Sequence, residues 1–173
     1  MEGNIFLTGF MGTGKSTVSR QLGNILKYLE IDMDAEIEHR QNMKISEIFA
    51  TYGEEYFRNL ETSLIEEFRQ KEGFILSCGG GAVLRPENVA YMKENGIVVL
   101  LTAEPETIYN RVCHSKNRPL LKGNMNVEYI TEMMERRKDF YEKAADITVA
   151  TDDKSPREIA EEIVGIIEKM KKL

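Results

Sequence analysis

Residues 9–17 constrain this chain most, because their sequence, GFMGTGKST, fits the phosphate-loop pattern G-x-x-x-x-G-K-[ST]. The apolar residues 5–7 before it predict a strand, and apolar residues spaced three or four apart after it predict a helix. Glycines let the backbone N–H groups and the helix N-terminus face phosphate oxygens. The sequence therefore predicts a nucleotide phosphate site between the first strand and the first helix.

The polar residues of this loop have distinct predicted contacts. Lys15 is expected to bring its cation to the β- and γ-phosphates, and Ser16 to offer its hydroxyl to Mg²⁺. We expect ATP to be held by the loop residues Gly12, Thr13, Gly14, Lys15, Ser16 and Thr17.

Short apolar runs alternate with helical patterns along the whole chain. The predicted strands are 5–8, 29–32, 74–78, 97–101 and 147–150. Several are continuously apolar, as strands buried on both faces of a parallel sheet are. This order predicts an α/β doubly wound fold in one domain, 1–173, with its ligand crevice at the carboxyl ends of the strands.

Composition narrows the choice of partners and compartment. A net charge of −6 argues against nucleic acid held by bulk charge, and no apolar run approaches the length of a membrane span. The start of the chain has no basic leader pattern, and Cys78 and Cys113 form no C-x-x-C motif. We expect a cytoplasmic protein, with no nucleic acid or membrane partner, that is a monomer.

Asp32 and Asp34 follow the second strand, where two carboxylates two residues apart point toward the crevice. One is suited to hold Mg²⁺, and the other to accept a proton or hydrogen bond from a substrate hydroxyl. The alternatives are two solvated loop acids, or Asp34 as the cap of a helix beginning at Ala35. Since no Asp follows the third strand, metal coordination falls to Ser16 and Asp32.

Residues 35–71 predict an amphipathic helical lobe, which Gly53 interrupts. Phe49 and Phe57 are interpreted as core residues, with a place in a substrate wall as the alternative. Arg58 and Glu61 lie three apart and can pair. Either this is a surface ion pair of little energy, or Glu61 orients a guanidinium that binds an anionic substrate.

Three further segments carry candidate site residues. Gly79, Gly80 and Gly81 follow the third strand and imply that a ligand or another backbone passes close by. The polar segment 111–126 predicts a mobile lid whose Arg118 reaches the transferred phosphoryl group, with a solvated loop arginine as the alternative. Arg137 shares one helical face with Tyr141 and Ala145.

Taken together, these motifs resemble the shikimate kinase family, in the nucleoside-monophosphate-kinase branch of P-loop folds. The matching sequences occur in the family's order: GFMGTGKST at 9–17, DMD at 32–34, FRNLE at 57–61, GGG at 79–81, RPLL at 118–121 and R-x-x-x-Y-x-x-x-A at 137–145. The resemblance implies a three-layer fold with a five-stranded parallel sheet of order 2-3-1-4-5. It also implies a shikimate-binding lobe at about 33–61 and a lid at about 114–125.

The implied reaction is ATP-dependent phosphorylation of the 3-hydroxyl of shikimate, in the route to chorismate and the aromatic amino acids. By the same resemblance, Lys15, Asp34 and Arg118 are catalytic, and Arg118 also contacts ATP. Ser16 and Asp32 hold Mg²⁺, and shikimate is held by Asp34, Arg58, Gly79, Gly80, Gly81 and Arg137.

Two departures from the family and two rival functions stand beside this prediction. The family often has Gly near position 42–43, where this chain has Asn42 and Met43, and the segment 152–154 matches too poorly to assign adenine contacts. The rivals are a kinase of the same fold that acts on a polyol acid such as gluconate, and a non-catalytic nucleotide-binding domain.

Overall fold

A computed structural model describes residues 3–113 and 126–172 of the chain. Within them, five strands form one parallel sheet of order β2-β3-β1-β4-β5, which confirms the predicted fold. The strands are β1 Asn4–Thr8, β2 Leu29–Asp32, β3 Phe74–Ser77, β4 Gly96–Thr102 and β5 Ile147–Ala150. Each of these strands lies within one or two residues of its predicted bounds.

Seven α-helices connect these strands in the described part of the chain. They are α1 Lys15–Leu26, α2 Met33–Gln41, α3 Ile45–Glu67, α4 Pro86–Asn95, α5 Pro105–Val112, α6 Val127–Ala144 and α7 Pro156–Met170. A short 3-10 helix, Ala82–Leu84, follows β3. None of these helices, within the residues described, is long and apolar enough to cross a membrane.

The sheet is buried on both faces, as its apolar strands predict. In the central strand β1, Ile5 and Leu7 pack on one face and Phe6 on the other. The first face is covered by α1 and α7, whose contributions include Val18, Leu22, Ile159 and Ile163. The second is covered by α3 to α6, with Leu64, Met92, Ile108 and Ile130 among the buried side chains. This three-layer packing holds the carboxyl ends of the strands on one edge.

The helical segment after β2 is divided at two points. Asn42 ends α2 in the left-handed conformation (φ 51°, ψ 36°), which asparagine tolerates better than most residues. Asn42 thus adopts a backbone conformation that also suits glycine. Gly53 has φ 83° and ψ 174° inside α3, which confirms the predicted break and kinks the helix there. The kink changes the direction of α3 before Arg58.

Candidate active site

Glycines fit the phosphate loop between β4 and α5. Gly9 has φ 141°, and a Cβ there would overlap the Leu101 carbonyl oxygen. A Cβ on Gly12 would lie 2.8 Å from Val112 Cγ1, and Gly14 precedes α1 with φ 93°. The loop therefore needs glycine for its backbone conformation and for close packing.

The polar residues of the loop are held by neighbouring oxygens. Lys15 Nζ donates to the carbonyls of Gly9 at 2.8 Å and Phe10 at 3.0 Å. Ser16 Oγ donates to Asp32 Oδ2 at 2.5 Å, and the other oxygen of Asp32 accepts the Ala35 N–H at 3.1 Å. Asp32 therefore caps α2, which begins at Met33, and the alternative of Asp34 as the cap of a helix starting at Ala35 is wrong.

A cavity of about 540 Å³ lies over the phosphate loop. Besides the loop, its lining includes Asp32, Asp34, Gly80, Arg111, Lys154, Pro156 and Ile159. Arg111 Nη1 donates to the Gly12 carbonyl and to Thr151 Oγ1, both at 3.1 Å, and so links the loop to the segment after β5. None of Arg111, Lys154 and Pro156 was predicted as a site residue. The segment 152–154 matches the family too poorly for an assignment, and no motif points to Arg111 or Pro156.

A second cavity, of about 410 Å³, lies against α2 and α3. Its apolar wall contains Ile45, Phe49 and Phe57, so the two phenylalanines line the cavity, although Phe57 is also a core residue. Its polar wall contains Asp34, Arg58, Glu61, Gly79, Gly80, Gly81 and Arg137. The two cavities share Met11, Asp32, Asp34 and Gly80, so they meet at one wall.

Arg58 and Glu61 form a buried ion pair, with Arg58 Nη1 2.7 Å from Glu61 Oε2. The side chain of Glu61 is 0% exposed and that of Arg58 is 9% exposed, so the interpretation as a surface ion pair is wrong. Glu54 also binds Arg58, with its Oε1 3.0 Å from Nη2. Burial raises the pKa of Glu61 to about 7, although the positive charge of Arg58 opposes that rise.

The glycines after β3 make room for this ion pair. A Cβ on Gly79 would overlap Glu61 Oε1, and a Cβ on Gly81 would overlap the guanidinium of Arg58. Gly80 differs, because its added Cβ would meet no described atom closer than 3.7 Å, and Gly80 lines both cavities. We expected a ligand or another backbone to pass close to these glycines, but at Gly79 and Gly81 the close neighbours are protein side chains. A Cβ on Gly80 would make only ordinary contacts.

Arg137 reaches the same wall from α6. Its Nη1 lies 3.5 Å from the Gly80 carbonyl oxygen, which also accepts the Tyr141 hydroxyl at 2.5 Å. Five predicted shikimate contacts besides Asp34 thus lie around one cavity: Arg58, Gly79, Gly80, Gly81 and Arg137. The remaining candidate, Arg118, and the predicted lid at 114–125 lie outside the described residues.

The chain resembles known proteins over almost its entire length. The family model for shikimate kinase matches residues 11–168. A shikimate kinase of Caldanaerobacter subterraneus subsp. tengcongensis is 40% identical over 168 residues, which cover 97% of this chain and 98% of that protein. The solved structure of shikimate kinase from Acinetobacter baumannii in complex with shikimate has a TM-score of 0.93 and 34% identity, covering 98% of this chain and 94% of that one.

A more distant likeness shows the fold alone. A gluconokinase structure from Sinorhizobium meliloti has a TM-score of 0.60 at 14% identity, over 97% of this chain and 93% of that one. The polyol-acid kinase alternative therefore shares the architecture but gains no support for its substrate.

Proposed function

This chain belongs to the shikimate kinase family, and we propose that it transfers the γ-phosphoryl group of ATP to the 3-hydroxyl of shikimate in the route to chorismate. The products are ADP and shikimate 3-phosphate. One observation supports placing ATP and shikimate in different cavities. The cavity over the phosphate loop and the second cavity, lined by Arg58 and Arg137 and called the arginine-lined cavity below, share a wall that contains Asp34. Substrates bound in the two cavities would both lie next to Asp34, close enough for a phosphoryl group to pass from one to the other.

We place the phosphates of ATP on Gly12 to Thr17 and the base toward Arg111, Lys154 and Pro156, because these residues line the same cavity and the phosphate loop is the part suited to phosphate. Lys15 would exchange the carbonyls of Gly9 and Phe10 for phosphate oxygens, which carry a full negative charge. Its cation would then stabilise the charge that develops as the phosphoryl group transfers.

Ser16 and Asp32 are suited to hold Mg²⁺. Their oxygens lie 2.5 Å apart beside the phosphate loop, and Mg²⁺ in nucleotide sites takes one or two protein oxygens together with phosphates and water. When bound, the ion would neutralise part of the phosphate charge. Asp32 Oδ1 would continue to cap α2, which keeps the carboxylate in place.

In the second cavity, we assign Asp34 to orient the attacking hydroxyl and accept its proton, because Asp34 faces both cavities. Arg58 and Arg137 would bind the substrate carboxylate, for which planar guanidinium groups are suited. Gly79 and Gly81 would let Glu61 and Arg58 pack, and Gly80 would admit the substrate ring. Residues 33–61 then form the substrate lobe of a single domain.

The remaining assignments rest on the sequence. Arg118 would contact the transferred phosphoryl group when a lid at 114–125 closes, which stays a prediction. We also propose a cytoplasmic location, for which the support is that Cys78 and Cys113 are both free thiols. The monomeric state stays a prediction from the sequence.

The assignment is tested by ADP release from the purified protein with shikimate, quinate, gluconate and nucleoside monophosphates as acceptors. We expect turnover with shikimate and a large loss of kcat in a folded Lys15→Met variant. Shikimate methyl ester, which keeps the hydroxyls and removes the charge, should be a poor acceptor. Efficient turnover of gluconate in place of shikimate would overturn the proposal, and equal use of ester and acid would overturn the carboxylate contact.

A further inference from the structure

The Gly80 carbonyl is held differently from those of the glycines on either side. The Gly79 carbonyl accepts the Ala82 N–H and the Gly81 carbonyl accepts the Leu84 N–H, both at 3.1 Å, as the chain turns into the 3-10 helix. The Gly80 carbonyl accepts hydrogen bonds from α6 instead, where Tyr141 and Arg137 lie one turn apart. Its partners are therefore side chains, and a mutation can change them.

The two donors to this carbonyl are unequal. The Tyr141 hydroxyl lies 2.5 Å from the Gly80 oxygen, whereas Arg137 Nη1 lies at 3.5 Å, at the outer limit of a hydrogen bond. Tyr141 is 6% exposed, and burial raises the pKa of its hydroxyl, which therefore stays a neutral donor. The phenol is thus the closer donor to the carbonyl, and the guanidinium makes a longer contact to it and also lies beside the phenol oxygen.

We propose that Tyr141 is a positioning residue for substrate binding, which keeps the Arg137 guanidinium available for the carboxylate of the substrate by satisfying the Gly80 carbonyl itself. The inference rests on the proposed function, since it concerns how the same anionic acceptor is held. Tyr141 does not line the arginine-lined cavity and so acts through Gly80 and Arg137.

The physical reason is the cost of an unsatisfied carbonyl. If the hydroxyl is removed, the Gly80 oxygen in a partly buried site has Arg137 as its remaining described donor. A carbonyl without a partner is unfavourable, so the guanidinium would move closer to it. A substrate carboxylate would then compete with the protein's own backbone for the same N–H groups.

The test compares steady-state kinetics of wild type, Tyr141→Phe and Tyr91→Phe. Tyr91 is a matched control, because its hydroxyl donates to Glu66 at 3.1 Å at an exposed site on α4. Tyr141→Phe should raise the KM for shikimate about three- to tenfold, the range expected for one lost hydrogen bond. The kcat and the KM for ATP should stay within about twofold. Tyr91→Phe should change none of these values.

A double-mutant cycle with Arg137→Lys tests whether Tyr141 acts through the guanidinium. In the Arg137→Lys background, Tyr141→Phe should raise the KM for shikimate by less than about twofold. The guanidinium that the Tyr141 hydroxyl keeps available is already absent from that variant. Three results would overturn the inference: an unchanged KM in Tyr141→Phe, fully additive effects, or a loss of the folded state seen as a lost thermal transition. Absence of shikimate turnover by wild type would instead remove the proposed function, and the inference with it.

Discussion

At the scale of single residues, Gly79 and Gly81 are fixed by what lies behind them. Glu61 and Arg58 occupy the space in which the Cβ atoms of an alanine at 79 or 81 would lie, whereas a Cβ on Gly80 would make only ordinary contacts and Gly80 lines both cavities. The three consecutive glycines are therefore explained in two different ways. Gly79 and Gly81 leave room for the buried ion pair, and Gly80 forms part of the lining of both cavities.

Alanine at each glycine should separate these reasons. Gly79→Ala and Gly81→Ala should each lower the free energy of unfolding by about 1–3 kcal/mol, because the buried ion pair must shift to admit a methyl group. Gly80→Ala should leave stability nearly unchanged and raise the KM for shikimate. Urea unfolding and steady-state kinetics measure both effects, and equal destabilisation by all three changes would contradict the distinction.

Glu61 should make stability depend on pH in a defined direction. Its carboxyl has an ordinary pKa of 4.5 and a folded pKa of about 7, with Arg58, Asp34 and Arg137 as the charged neighbours. Between these values the folded chain binds more protons than the unfolded chain, so the free energy of unfolding falls as pH rises from about 4.5 to about 7. Above pH 7 this part of the stability stays lost, because the buried charge remains.

We expect the difference in free energy of unfolding between wild type and Glu61→Gln to change across this pH range and to level off on either side. Glu54→Gln is the control, because it removes the other carboxylate that binds Arg58. The side chain of Glu54 is 54% exposed, so this variant should retain the wild-type pH dependence of the free energy of unfolding. A Glu61→Gln variant with the same pH profile as wild type would show that another group titrates.

The pairing of Arg58 with Glu61 was predictable, because the two residues lie three apart on a helix. Whether the pair is buried or on the surface was not predictable from that spacing. Burial depends on the turn at Gly79 to Gly81, which lies 18 or more residues further along the chain. Such packing between distant segments leaves no local pattern.

At the scale of elements, strand positions were predicted well because apolar runs bounded by polar or glycine residues are local signals. Helix ends were predicted less well. Asp32 accepts the Ala35 N–H and starts α2 at Met33, and Asn42 stops it. The helical lobe predicted from 35 onward, with one break at Gly53, is therefore also divided at Asn42. These ends depend on cap geometry, which the apolar pattern does not report.

Asn42 provides a test of this helix end. Asn42→Ala should lower the free energy of unfolding by about 1 kcal/mol, because a Cβ-bearing residue without a short polar side chain is strained at φ 51°. Asn42→Gly should be neutral within about 0.5 kcal/mol, because glycine adopts this conformation readily. Urea unfolding measures both, and a reversed order would argue against the left-handed backbone.

At the scale of the whole molecule, the parallel sheet brings residues from distant segments to one edge. The alternation of strands and helices predicted a parallel sheet, and the family resemblance implied its strand order. The phosphate loop, Asp34 and Gly79 to Gly81 were therefore expected to converge. Arg111 and Lys154 were not, because they reach the cavity through the packing of α5 beside the segment after β5. Their placement follows from tertiary contacts alone.

The two cavities are lined mostly by different residues, so we expect each substrate to stabilise the folded protein independently of the other. Saturating Mg·ADP and shikimate should each raise the Tm, by an amount equivalent to about 2.7 kcal/mol at a hundredfold excess over Kd. Arg58→Lys should reduce the shift caused by shikimate and leave the shift caused by Mg·ADP, while Lys15→Met should do the opposite. Thermal unfolding with each ligand alone and with both measures this, and loss of both shifts in either variant would argue for one merged site.

The wall that the cavities share, with Met11, Asp32, Asp34 and Gly80 on it, has a consequence for inhibitors. A single molecule with a nucleoside at one end and a cyclic carboxylate at the other can occupy both cavities if a short oligophosphate joins its halves. Once one half is bound, the other is confined near its own cavity at a millimolar effective concentration, on the order of that reached with short linkers. Such a bivalent compound should bind far more tightly than either half, and its optimal linker length would measure the distance across the wall.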